Sequence, residues 1–338
     1  MTPESAIRTT LDRDVEIFTK GHPELCLGGS NLLQERRVHA EIFGFTAHPK
    51  ELQAPIGRVE FMAFRGPHGT INLRVLYPSV SHHASAKSNL SPALIYFHGG
   101  GYSVGAGDEF ENGCRILAEK SGVQVYLVDY RLAPEWQYPT QLDEYEAMLE
   151  WLRGEGGSER GVDPNLIFGA GDSAGGNMTA AVALRLRDRQ RQNLAGIFLL
   201  YPEARLPFDT KAAAENNTGP YLNCNGIFEF ARNYIPSGVP PSCRYISPGQ
   251  LPTTELKDLP PARVYTCGFD CLRDVGAELA CKLQDAGNDV TWRHYETLSH
   301  GFLQMAPWSS VAMNALAKVG EDAGSLAGHI DGEARNDE

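Results

Sequence analysis

The chain has no Cys-x-x-Cys pair, and its seven cysteines (26, 114, 224, 243, 267, 271 and 281) are an odd number without regular spacing. A disulfide framework and a zinc site are both unsupported, and the cysteines read as buried or idle thiols. Basic charge is also short: 30 Lys and Arg face 42 Asp and Glu, a formal net charge of -12 with a pI near 5.3. Nucleic acid and an anionic membrane surface would both repel such a chain at long range, which leaves a neutral small molecule as the easier partner. No apolar run reaches the length of a membrane span, and Met1-Thr2-Pro3-Glu4-Ser5 lacks the basic start and apolar core of a secretory signal. A cytoplasmic protein is expected, with no membrane span, as a monomer or homodimer. No internal repeat is visible.

What is present is a period that changes along the chain. Ile7, Leu11, Val15 and Phe18 fall near a helical spacing, so residues 1 to about 57 read as one or two short helices. From Arg58 apolar residues alternate through Val59, Phe61 and Ala63. They alternate again through Ile71, Leu73, Val75 and Tyr77 after Gly66-Pro67-His68-Gly69, which predicts a hairpin. Ser79 to Ser91 reads as a surface loop. Apolar strands then alternate with helices: Ala93–Phe97, a helix over 113–120, Val123–Val128, a helix over 141–153, and Leu166–Phe168. In the 141–153 helix Leu142, Tyr145, Leu149 and Leu152 form one buried stripe. Continuous apolar strands separated by helices imply a parallel sheet covered on both faces. After Leu194–Tyr201 the pattern stops over 203–259, a Pro-, Asn- and Gly-rich stretch that includes Phe208 and Tyr221 and reads as a lid or cap. It resumes with Ala262–Thr266, a helix to Gly287, Val290–Tyr295 and a last helix from about Ser309. Residues 328–338 read as a disordered tail.

Two glycine-rich turns carry chemistry. Gly171-Asp172-Ser173-Ala174-Gly175-Gly176 sits between an apolar strand and a small-residue helix, the setting that makes G-x-S-x-G a nucleophile elbow. His98-Gly99-Gly100-Gly101 closes the Ala93–Phe97 strand and leaves bare backbone N–H groups, which is what an oxyanion hole needs. A serine hydroxyl becomes nucleophilic when a base takes its proton and a carboxylate orients that base. The elbow fold places acid and histidine after late strands, in that order. Of ten histidines, seven precede the serine, His294 falls within a strand and His329 in the tail, which leaves His300 as base. Asp270 lies closer to its strand end than its rival Asp274. Asp172, beside the serine, reads as structural.

Through these motifs, together with Tyr130-Arg131-Leu132-Ala133-Pro134-Glu135, Asp270-x-Leu272-Arg273-Asp274 and His300-Gly301-Phe302, the chain resembles the hormone-sensitive-lipase-like branch of the α/β-hydrolases. That branch includes many microbial and fungal carboxylesterases and acetyl esterases. The resemblance covers roughly residues 58–305. It implies an α/β-hydrolase fold: a mostly parallel eight-stranded sheet, helices on both faces and a helical cap. The core would be 51–202 and 260–327. The cap would be residues 1–50 with the segment after the sixth strand, 203–250 within the 203–259 insertion. It further implies nucleophile Ser173, acid Asp270 and base His300, with oxyanion donors from the N–H groups of Gly100, Gly101 and Ala174. His98 would hold the glycine loop, with Gly99, Gly171, Asp172 and Gly175 as structural parts of the two motifs. Cys271 stands where the family usually has proline, and Ser299 where an apolar residue is common.

The resulting expectation is a cofactor-free and metal-free serine carboxylesterase. It would hydrolyse a short-acyl ester of a small molecule, such as an acetate, through an acyl-enzyme. Lactonase, amidase and acyltransferase activities use the same constellation, and a non-catalytic receptor on this fold would have lost one of its members.

Overall fold

The computed structural model describes residues 3–81, 90–206 and 209–334. Most of the expected Ser79–Ser91 loop, with His82 and His83, lies outside the described residues, as does Phe208. Eight strands form one sheet: β1 (Arg58–Gly66), β2 (Gly69–Tyr77), β3 (Ser91–Phe97), β4 (Gln124–Asp129), β5 (Val162–Asp172), β6 (Ile197–Leu200), β7 (Ala262–Phe269) and β8 (Val290–Ser299). Their order is β1-β2-β4-β3-β5-β6-β7-β8, with the β1–β2–β4 pairs antiparallel and all others parallel.

The helices are α1 (Arg13–Gly21), α2 (Leu32–Phe43), α3 (Gly107–Ser121), α4 (Thr140–Arg153), α5 (Glu155–Ser158), α6 (Ala174–Asp188), α7 (Lys211–Glu215), α8 (Gly226–Tyr234), α9 (Arg273–Asp285), α10 (Phe302–Met305) and α11 (Ser310–Ala334). They cover the parallel strands, so the apolar runs of β3 to β6 are buried almost throughout. β3, β4, α4 and α9 fall close to where periodicity puts them, whereas α3 starts at Gly107 rather than 113, β5 runs beyond 166–168 at both ends, β8 continues past Tyr295 to Ser299, and α7 and α8 lie in the stretch where the pattern stops.

α11 overturns the expected disordered tail, since 328–334 are helical; residues 335–338 lie outside the described residues. The reason is a stripe that composition hides. Val319, Ala323 and Leu326 are buried and Ile330 packs against the same core, at spacings of four, three and four.

Two segments close over the strand ends. Residues before β1 supply α1 and α2, and residues after β6 supply α7 and α8. They are joined to each other: Leu27 N–H donates to Tyr221 O at 3.0 Å and Asn223 N–H to Leu27 O at 2.9 Å. Arg8 donates to Glu215 O (2.8 Å) and Asn216 Oδ1 (2.9 Å). Phe18 packs on Trp308 with ring centroids 4.4 Å apart, which fastens α1 to the core.

Candidate active site

The parallel pairing carries the C-terminal ends of β5, β7 and β8 to one edge of the sheet. Asp172 ends β5 and Ala174 begins α6, so Ser173 is the whole turn between them. Its φ of 52° and ψ of -119° are strained for a residue with a Cβ. The strain is held by backbone: Ser173 N–H donates to Leu200 O at 2.8 Å, and Ser173 O accepts from Asn177 N (3.0 Å) and Glu203 N (3.2 Å). A Cβ at Gly175 would lie 1.9 Å from Phe97 O, so α6 reaches the end of β3 this closely only with glycine there.

The loop after β3 is fixed from the same side. Asp172 Oδ1 accepts both Gly99 N–H and Tyr96 O–H, each at 2.8 Å. Burial pushes the Asp172 carboxyl up to about 6, against the pull of those two donors. The His98 ring stacks between Tyr130 and Phe110, at 4.4 and 4.9 Å, and its Nδ1–H donates to Gly99 O at 2.8 Å. Gly100, at φ +97°, takes a conformation that a side chain would strain.

Asp270 follows β7 and His300 follows β8; both are buried, and His300 Nδ1–H donates to Asp270 Oδ2 at 2.9 Å. Asp270 Oδ1 accepts from Leu272 N–H at 2.8 Å, and its carbonyl from Asn216 Nδ2 at 3.1 Å, so a residue from the insertion props the carboxylate's own loop. The rival Asp274 is engaged elsewhere, accepting from Arg273 Nε and Ala212 N, each at 2.8 Å. The other described histidines of this region are committed as well. His39 bonds Glu35 O and Tyr221 OH, and His294 bonds Thr266 and Ile7 O. Cys271 is buried. Its bond with the Cys224 thiol and then burial raise its thiol far above the ordinary range; all seven cysteines are free.

Among the described residues no group of three or more His, Cys, Asp or Glu is placed to hold a metal ion, and no helix is long and apolar enough to cross a membrane. A narrow cavity of about 10 Å³ opens on Ser173 and Gly101. It is walled by Leu27, Leu222, Ile227, Phe230 and Leu272, with one carboxyl, Glu203. Neither Glu203 nor the cap residues were legible as site residues. Only the position of Glu203 two residues past Tyr201, where β6 delivers the chain to the same edge, could have flagged it.

Two buried carboxyls stay protonated near neutrality. Burial, reinforced by Asp108 and Asp129, pushes Glu109 up to about 8. Burial also pushes Glu203 up to about 8, against the hydrogen bond from Tyr102. For each, the folded chain keeps a proton that the unfolded chain releases near its ordinary value of 4.5. Stability from these groups is therefore full below that pH and is lost as pH rises to about 8. Glu109→Gln removes one such loss. It is expected to stabilise the protein at about pH 9 by on the order of 3 kcal/mol and to change little at about pH 4. Superimposable thermal melts of the two proteins at the alkaline pH would refute this.

Residues 94–304 match the model of a family described as alpha/beta hydrolase fold. The chain is 35% identical over 261 residues to "Esterase LipI" of Mycobacterium tuberculosis, covering 76% of this chain and 79% of that protein. It is 37% identical over 238 residues to "Carboxylesterase NlhH" of the same species, covering 70% and 72%. Among solved structures, a hyperthermophilic esterase from the archaeon Pyrobaculum calidifontis superposes with a TM-score of 0.84 at 29% identity. That match covers 94% of this chain and 99% of the other.

Proposed function

This chain belongs to the hormone-sensitive-lipase-like family of α/β-hydrolase-fold carboxylic ester hydrolases, and from that premise we propose that it cleaves short-acyl esters through an acyl-enzyme on Ser173. Ser173 Oγ attacks the ester carbonyl while His300 takes its proton. Because Nδ1 is committed to Asp270, Nε2 is the nitrogen that acts as base. Asp270 fixes that tautomer and stabilises the imidazolium once it forms. The oxyanion is met by the N–H groups of Gly100, Gly101 and Ala174, each contributing about 3 kcal/mol in the transition state. His300 then protonates the departing alcohol and afterwards draws a proton from water, which hydrolyses the acyl-enzyme and restores the serine.

The observation that carries this reading is the buried Asp270–His300 pair at 2.9 Å, at the sheet edge where the elbow presents Ser173. Short acyl groups are supported by the narrowness of the cavity, which Leu27, Leu222, Ile227, Phe230 and Leu272 close down to about 10 Å³ beside Ser173. The test is a series of nitrophenyl esters from two to sixteen carbons, run beside labelling with a fluorophosphonate. The expected result is a kcat/KM maximum at two to four carbons and one adduct, on the peptide containing Ser173. A maximum at the long chains removes the short-acyl reading, and an adduct elsewhere removes the mechanism.

A further inference from the structure

The cavity beside Ser173 is apolar except for Glu203, and nothing in the proposed ester cleavage uses that group. Glu203 is 6% exposed and held firmly. Its N–H donates to Ser173 O, its carbonyl accepts from Asn177 Nδ2 at 2.6 Å, and its Oε2 accepts from Tyr102 O–H at 2.7 Å. Tyr102 directly follows the glycine loop, and its ring lies flat on Tyr234 of α8, with centroids 3.7 Å apart and planes within 3°. Four elements thus converge to hold one carboxyl in an oily space. The remaining oxygen, Oε1, has no hydrogen-bond partner among the described residues, and it belongs to a residue that lines the cavity.

A polar group kept in an apolar pocket discriminates strongly. A ligand without a matching atom strips its water and leaves it unpaired, whereas one with a hydroxyl or carbonyl in reach completes it. We propose that Glu203 is a specificity-determining residue: its carboxyl hydrogen-bonds an oxygen carried by the substrate within a few bonds of the ester carbonyl. Preferred substrates are then oxygenated short esters, hydroxy- or oxo-substituted, rather than plain alkyl ones. The inference rests on the reading of Ser173 as nucleophile, which brings the ester into this cavity. Since burial keeps Glu203 protonated to about pH 8, it offers both a donor and an acceptor and selects for neutral oxygen groups, not for cations.

Two matched pairs test this. Nitrophenyl butyrate against nitrophenyl 3-hydroxybutyrate places the hydroxyl on the acyl side. Propyl butyrate against ethylene glycol monobutyrate places it on the alcohol side. The wild type is expected to favour the hydroxylated member of one pair by about tenfold or more in kcat/KM, and the responding pair identifies the side that meets Glu203. Glu203→Leu should abolish that ratio and Glu203→Gln, which can still donate and accept, should retain it within a few-fold. Fluorophosphonate labelling of all three proteins reports an intact site. Labelled wild-type protein that favours the plain ester in both pairs, or a Leu variant that labels and keeps the ratio, overturns the proposal while leaving esterase chemistry standing. Wild-type protein that does not label overturns the esterase mechanism instead.

Discussion

Ser173→Ala is expected to lower kcat for ester hydrolysis by at least about 10⁵-fold while the protein stays folded. The size follows from what remains. The glycine loop, Ala174 and the cavity still bind and polarise the ester, which supports some residual hydrolysis by water, but no acyl-enzyme can form and His300 has no hydroxyl to deprotonate. The loss should fall on kcat, because a hydrogen in place of the hydroxyl removes an interaction made in the transition state. Stability should change by less than about 1 kcal/mol, since the Ser173 turn is held through its backbone N–H and C=O. Activity within tenfold of wild type, with no fluorophosphonate adduct, would show that the serine is not the nucleophile.

Gly175→Ala is expected to damage the fold itself, by at least about 3–4 kcal/mol out of a typical total of about 5–15. An added Cβ meets Phe97 O at 1.9 Å, Phe97 C at 2.7 Å and His98 O at 2.9 Å. All are backbone atoms, so no flexible side chain can swing away. Relief requires α6 to lift from β3 or the end of β3 to move, and either shift also displaces the loop that Asp172 ties through Gly99. Expression largely in inclusion bodies, or a melting temperature lowered by more than about 10 °C, is the outcome anticipated. A soluble variant that melts with the wild type would mean the elbow is far more pliant than its contacts imply.

The fold was largely legible because its signals are local. The period of two over 58–77, the apolar runs within β3, β4 and β6 and the stripe of α4 each lie within one element. The two glycine motifs were legible because steric demands at a turn act on adjacent residues. Element ends were read less well: β5 starts at Val162, which pairs with Ser91, and runs through residues 163–165, where the register with β3 shifts. The end of α11 was missed because four widely spaced apolar residues are diluted by glycine and charge.

The choice between Asp270 and Asp274 shows the boundary of such reading. Position along the strand favours the first, but only the three-dimensional arrangement puts Asp270 on His300 and engages Asp274 with Arg273 and Ala212. Sequence alone determined which chemical groups are present, their order, and the turn that carries the serine, because these depend on neighbours a few residues apart. Tertiary structure alone decided that Leu27 meets Tyr221, that Tyr102 meets Glu203, and that a carboxyl faces the cavity beside Ser173. The first two contacts join residues about a hundred or more positions apart, and burial there is set by how the cap and sheet edge pack rather than by any spacing written along the chain.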